Sequence, residues 1–200
     1  MEFTREPSEF DLNYLLLFCE YTFNFVRYVP DTYLDVNDVK SMFMRQFHKL
    51  VELIGYKLIA QDVIYILVPD DQVVMAVAEI IDKSLSYRVM EYNHYSMKGD
   101  LDKKRSVLLA LADKIDSLRK SLKQRNPKLE DCLYFLFNSV DIRHNNSDKG
   151  SKDYKFFTSQ MDKDTVEYWY DETYQICLLA FLELDNIDRM SNIEELKKNY

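Results

Sequence analysis

The sequence predicts a mainly α-helical fold, an up-and-down helical bundle with one small β-hairpin in its N-terminal portion. Three observations predict it. Only 3 Gly and 4 Pro occur in 200 residues, too few breakers for a turn-rich β architecture. Apolar residues recur at helical spacing through most of the chain. One stretch alone, Tyr56 to Val68, carries aliphatic and aromatic residues on both sides of a turn signal.

In chain order, residues 1–11 are polar and are expected to be loosely held. Leu12 to Tyr28 is apolar and aromatic, which predicts a buried helix stopped by Pro30. Asp35 or Asn37 is placed to cap a second helix, Val36 to Ile54, with Val39, Phe43, Phe47, Leu50 and Ile54 on its core face and Gly55 just past its end. Tyr56–Ala60 and Val63–Val68 then read as two strands joined at Gln61-Asp62, and Pro69-Asp70-Asp71 ends the second. A lone hairpin is marginal in water and must pack on helices.

From Gln72 onward the pattern is helical. Val74, Val77, Ile81, Leu85, Val89 and Tyr92 trace one face of a helix reaching about Tyr95. Lys98-Gly99-Asp100 is a break, with Asp100 as N-cap. Leu101, the Arg105 stem, Leu108, Leu111, Ile115, Leu118 and Leu122 then step by fours and threes, the seam of a bundle helix, which Asn126-Pro127 closes. Leu129 to Ile142 is another apolar helix, and 145–153 a polar loop containing Gly150. Asp162 or Asp164 caps the last long helix, whose core face carries Val166, Trp169, Tyr170, Thr173, Ile176, Cys177, Ala180, Leu184 and Ile187. Two portions follow: 1–71, helices plus hairpin packed on the bundle, and 72–200, the bundle itself.

The net charge of −8 excludes general attraction to nucleic acid or an anionic membrane. Between Asp100 and Lys128, however, nine Lys/Arg stand against four Asp. Any polyanion would be drawn to that stripe, where Lys103, Lys104, Arg119, Lys120 and Lys123 are candidate RNA contacts. The same cations also suit the solvated face of an amphipathic helix, with the acids near its start and the bases near its end. Cys19, Cys132 and Cys177 lie in apolar runs without ligand spacing, so buried reduced thiols are expected and zinc is not. No apolar run approaches the ~18 residues of a membrane span, and no basic-flanked leader with a cleavage site is seen. A cytoplasmic protein without metal or cofactor is the expectation. The absence of P-loop, GxGxxG, GxSxG and HExxH patterns excludes the common NTPase, dehydrogenase, hydrolase and zinc-protease classes.

Chemistry concentrates in Asp141-Ile-Arg-His-Asn-Asn146. The Arg143 guanidinium offers a fork of donors matched to phosphate oxygens, and the adjacent His144 belongs to the residue type best suited to proton transfer near neutral pH. Asn145 and Asn146 could orient a leaving group or stabilise developing charge. The same residues also suit a helix end, where cations complement the dipole and Asn tolerates the left-handed conformation. His94, near another helix end, is a second candidate acid or base that could join Arg143 in the folded bundle. The aromatic run Trp169 to Tyr174 sits at core spacing and reads as a packed seam.

Three stretches, YNHYSMKGDLDKKRSVLLALADKIDSLR, LYFLFNSVDIRHNNSDKG and VEYWYDETYQICLLAFLELDNIDR, together resemble the HEPN (higher eukaryotes and prokaryotes nucleotide-binding) superfamily. The likeness is to the HEPN-type C-terminal domains of bacterial abortive-infection proteins and spans roughly Ile80 to Arg189. It implies a bundle of four to five helices, a homodimer whose two clusters face one composite cleft, and metal-independent RNA cleavage in phage defence. The family motif is an Arg, a polar residue and a His four to six residues further on. Arg143 and His144 match the first two positions. Asp148, Lys149 and Gly150 stand where the His would be, and no histidine follows His144. Two expectations follow: a divergent endoribonuclease using Arg143, His144, Asn145, Asn146 and His94, or a non-catalytic HEPN-like module that binds a protein partner or nucleotide.

Overall fold

A computed structural model describes residues 11–30 and 37–200. The chain is mainly helical, with one antiparallel hairpin in its N-terminal part. The described residues fall into two compact units. One comprises those up to Asp71 with Asn93–Tyr95; the other comprises Gln72–Tyr92 and Ser96–Tyr200. The expectations for residues 1–10, Asp35 and Val36 lie outside the described residues.

In the first unit, α1 (Leu12–Tyr28) begins at Asp11, whose carboxylate accepts the Asn13 amide at 2.9 Å. This N-cap was hidden in the polar lead. α2 spans Asn37–Leu53, and Gly55, at φ 75°, ends it in the left-handed conformation that glycine adopts without strain. β1 (Tyr56–Gln61) and β2 (Ile64–Pro69) pair from Gln61↔Ile64 to Tyr56↔Pro69. The turn is therefore Asp62-Val63, one residue later than the sequence predicts, and Asp62 takes φ 50°. Asp is among the few side chains that tolerate this region.

α1 covers the outer edge of β2 by a regular match of helix and strand spacing. Glu20 accepts the Leu67 amide at 2.6 Å. Asn24 donates to the Tyr65 carbonyl at 2.7 Å and accepts its amide at 2.8 Å. Arg27 donates to the Val63 carbonyl at 2.7 Å. One turn of helix thus advances two residues of strand, and an edge that would otherwise invite another chain is closed. The core beneath is Leu16, Cys19, Phe23, Phe47, Val51 and Leu67. Two expectations fail here. The core side of α2 is Phe43, Phe47, Val51 and Ile54, while Val39 and Leu50 are exposed. And α1 is buried on one side only: Tyr14, Leu17, Phe18, Tyr21, Phe25 and Tyr28 all face outward.

In the second unit, the single helix expected over 72–95 is two, α3 (Gln72–Ile80) and α4 (Lys83–Glu91), followed by a 3-10 turn at Tyr95–Met97. The break is Asp82, which is extended and pairs through its carboxylate with Lys114 at 2.7 Å. α5 (Leu101–Arg125) starts at Asp100, as its N-capping carboxylate predicts. Asn126 ends α5 and caps α6 (Pro127–Ser139), accepting the Leu129 amide. Pro127 is thus the first residue of a helix, where its missing N–H costs nothing. α6 stops at Ser139, three residues short of the expected Ile142. A short α7 (Phe156–Ser159) precedes α8 (Lys163–Lys198), which Asp162 caps. α8 packs against α3, α5 and α6, and α5 against α6 and α4.

The core runs through Val107, Leu108, Leu111 and Ile115 of α5, Leu133 and Phe137 of α6, and Tyr174, Cys177 and Phe181 of α8. Tyr174, Leu178 and Phe181 are buried although the expected α8 face omitted them. A helix packed on several neighbours buries more than one stripe. Of the three thiols, Cys19 and Cys177 are buried and held protonated by desolvation. Cys132 is exposed, against expectation, because it lies on the outer side of α6.

Candidate functional site

Below α6 the chain makes a tight joint. Asp141, at φ 58°, turns the backbone out of the helix. Its carboxylate accepts the amides of Asn146 and Ser147, and Asn146 returns the contact by accepting the Asp141 amide at 3.1 Å. The Asn146 side-chain NH2 donates to the carbonyls of Asn138, at 3.1 Å, and Asp153, at 2.8 Å. Asn146 is fully buried. Its amide therefore replaces the backbone partners that the end of α6 and the returning loop lack, and nothing on it is left to face a substrate. Arg105 of α5 donates to the Asp141 carbonyl at 2.6 Å and the Ile142 carbonyl at 2.9 Å. That head group closes the helix end, where the sequence suggested only a buried stem.

Arg143 leaves this joint toward α5. Its Nη2 meets Asp116 Oδ2 at 2.6 Å, and its guanidinium lies 4.8 Å from the Phe137 ring centroid and 5.2 Å from that of Tyr134. The other Asp116 oxygen accepts the Tyr134 hydroxyl in a short hydrogen bond. Arg119 closes on Tyr134 as well, 3.6 Å from its centroid, and its Nε donates to the buried Glu130 at 2.6 Å. Burial, and secondly the bond to Asp116 and the charge of that carboxylate, push the Tyr134 phenol up to about 12, with Arg119 and Arg143 opposing. Tyr134 is a neutral donor and cation platform at physiological pH, not a base.

His144 points elsewhere. Its Nε2 lies 3.2 Å from Asn138 Oδ1 and its Nδ1 3.4 Å from Asp153 Oδ2, and the ring is about half exposed. It shares no polar partner with the Arg143 guanidinium. Asn145 is exposed and reaches Asp148 at 3.5 Å. His94 belongs to the other unit, where it is buried with its Nε2 2.6 Å from Glu20 Oε1; the second Glu20 oxygen accepts the Tyr95 hydroxyl at 2.9 Å.

The basic stripe divides. Lys104 is buried, its ammonium 2.7 Å from both Glu167 and Asp171 of α8 and 5.3 Å from the Tyr92 ring centroid. It is a core cation rather than a surface contact. Lys103 is exposed and pairs with Asp100. Lys120 and Lys123 are exposed, Lys123 reaching Glu130 only at 4.0 Å. Asp116, Tyr134 and Glu130 escaped the sequence reading. One signal was available: a glutamate in the first turn of α6, across a one-residue turn from the bases at the end of α5.

Among the described residues no group of His, Cys, Asp and Glu is arranged to hold a metal ion, and no helix is long and apolar enough to cross a membrane. Two concavities of this unit lie away from the joint. One, of about 250 Å³, is lined by Ile80, Asp82, Lys114, Leu118 and Asp188; the other, about 800 Å³, lies between Arg125 and the end of α8. Comparison of the chain with protein-family models, with curated proteins and with solved structures found no match.

Proposed function

We propose that this chain is a HEPN-like helical module, of the kind found in phage-defence proteins, that acts by binding a protein partner rather than by cleaving RNA. The observation that carries this reading is the Arg143–Asp116 contact at 2.6 Å. A phosphate-gripping arginine needs its fork free for the ligand, whereas this one is neutralised by its own chain and stacked on two rings. The buried Asn146 supports the same reading, since an amide bonded on all sides to backbone cannot also serve a reacting group. The histidine that the family motif requires is absent.

A second reading, divergent RNA cleavage, draws on one observation: Arg119 of the basic stripe and Arg143 close on the same Tyr134 ring, so part of the stripe shares a face with the motif arginine. Incubation of the purified protein with total RNA in EDTA separates the two. The binding reading expects intact RNA, with Arg143→Ala lowering stability by about 1–2 kcal/mol through loss of a partly exposed ion pair and ring contacts. RNA fragmentation that Arg143→Ala abolishes, at unchanged stability, would establish the enzyme instead.

A further inference from the structure

We infer that the outer face of α1 is a self-association surface on which a second copy of this chain packs, α1 against α1 about a two-fold axis passing near Tyr21. α1 carries this independently of the family resemblance. Beside its polar ridge, apolar residues line two opposite sides of this helix, and two apolar sides call for two partners, yet among the described residues only one side is covered. Leu16, Cys19, Glu20 and Phe23 face the hairpin. At 100° per residue, Tyr14, Leu17, Phe18, Tyr21, Phe25 and Tyr28 form one stripe on the opposite side, and its five aromatic side chains are 56–69% exposed, Tyr28 alone reaching back to the hairpin turn through its hydroxyl, which donates to the Val63 carbonyl.

Area, charge and composition select the occupant. Taking roughly 150–250 Å² per aromatic side chain, those five rings offer about 600 Å², and Leu17 adds to it. That approaches the ~800 Å² per partner of a stable interface and stands at the upper end of the ~300–600 Å² of the largest apolar patch on a typical monomer. From Tyr14 to Phe25 the stripe carries no charge. Of the two charged residues of α1, Glu20 is buried against β2, and Arg27, at the far end, donates to the Val63 carbonyl in the turn with its guanidinium 5.7 Å from the Tyr28 ring centroid. A nucleic acid or an anionic bilayer needs cations beside the apolar surface, and an isologous pair needs the opposite, a face that does not repel its own image. Dominance by aromatic rings without charge is the composition of a permanent homodimer interface. Tyr21 is mid-stripe and stacks on Phe25, with centroids 6.2 Å apart, so a two-fold there brings each Tyr21 onto its mate.

Sedimentation equilibrium on the full chain expects a dimer at micromolar concentration. Tyr21→Glu with Phe25→Glu should weaken it at least ~100-fold, because carboxylates would be buried against their own images, while helical content by circular dichroism stays that of the parent. Should that variant misfold, Tyr21→Cys in a Cys132→Ser background tests the geometry alone. Mild oxidation should give a covalent dimer through residue 21, and a cysteine at exposed Lys49 should not. A monomeric parent overturns the proposal, as does a dimer indifferent to both substitutions at Tyr21, or a monomer that pellets with neutral phosphatidylcholine vesicles.

Discussion

At the scale of single residues, Arg143 and Asn146 stood three positions apart in a loop and looked alike in kind, two polar groups near a helix end. Their environments separate them. Asn146 is enclosed and satisfies three backbone groups. Asn146→Ala should therefore cost about 2–4 kcal/mol, the penalty of leaving buried amides and carbonyls unpaired, readable as a lower urea midpoint. Asn145→Ala, on an exposed side chain, should stay within about 0.5 kcal/mol. Tyr134 gives a pH prediction. Its folded-state value lies above the ordinary 10.0, at about 12, so the neutral phenol is favoured by folding. That contribution is complete below pH 10 and is lost as pH rises toward 12. Urea melts between pH 8 and 11 should show stability falling at the alkaline end, and Tyr134→Phe should flatten the fall. None of this was legible in the sequence, because Asp116 meets Tyr134 across two helices.

Among the elements, α5 shows best what patterning can and cannot reveal. Its seam of Leu108, Leu111, Ile115 and Leu122 is fully buried, as the four-three spacing predicts, because periodicity reports which side of a helix is apolar. It does not report which lysine turns inward. Lys104 looks like its neighbour Lys103 in sequence, yet it lies between Glu167 and Asp171 of α8. Lys104→Ala should destabilise by about 2–3 kcal/mol, less than the ~3–5 of a wholly buried pair because Asp171 is half exposed. Lys103→Ala should be near neutral by the same chemical denaturation. A comparable effect of the two would mean that Lys104 is solvated. Caps were partly legible: Asp100, Asn126 and Asp162 each precede a helix and bond to its first turn. The break at Asp82 was not, since Ile81 and Leu85 continue the apolar period straight through it.

For the molecule as a whole, the sequence alone determined the helical class, the presence and place of the hairpin, and the starts of α5 and α8. These follow from local chemistry: side-chain period, breakers and capping groups act over a few residues and leave their mark there. Tertiary structure decided what Arg143, Asn146, Lys104 and Glu20 do, and which side of α1 is left uncovered. Most of those outcomes depend on a group contributed by a distant element, at separations of 27 residues for Arg143 and Asp116, 67 for Lys104 and Asp171 and 75 for Glu20 and Tyr95, whereas Asn146 meets its partners within 8 residues. A charge or an amide becomes a ligand site, a core ion pair or a helix terminator according to what faces it, and folding alone brings those faces together.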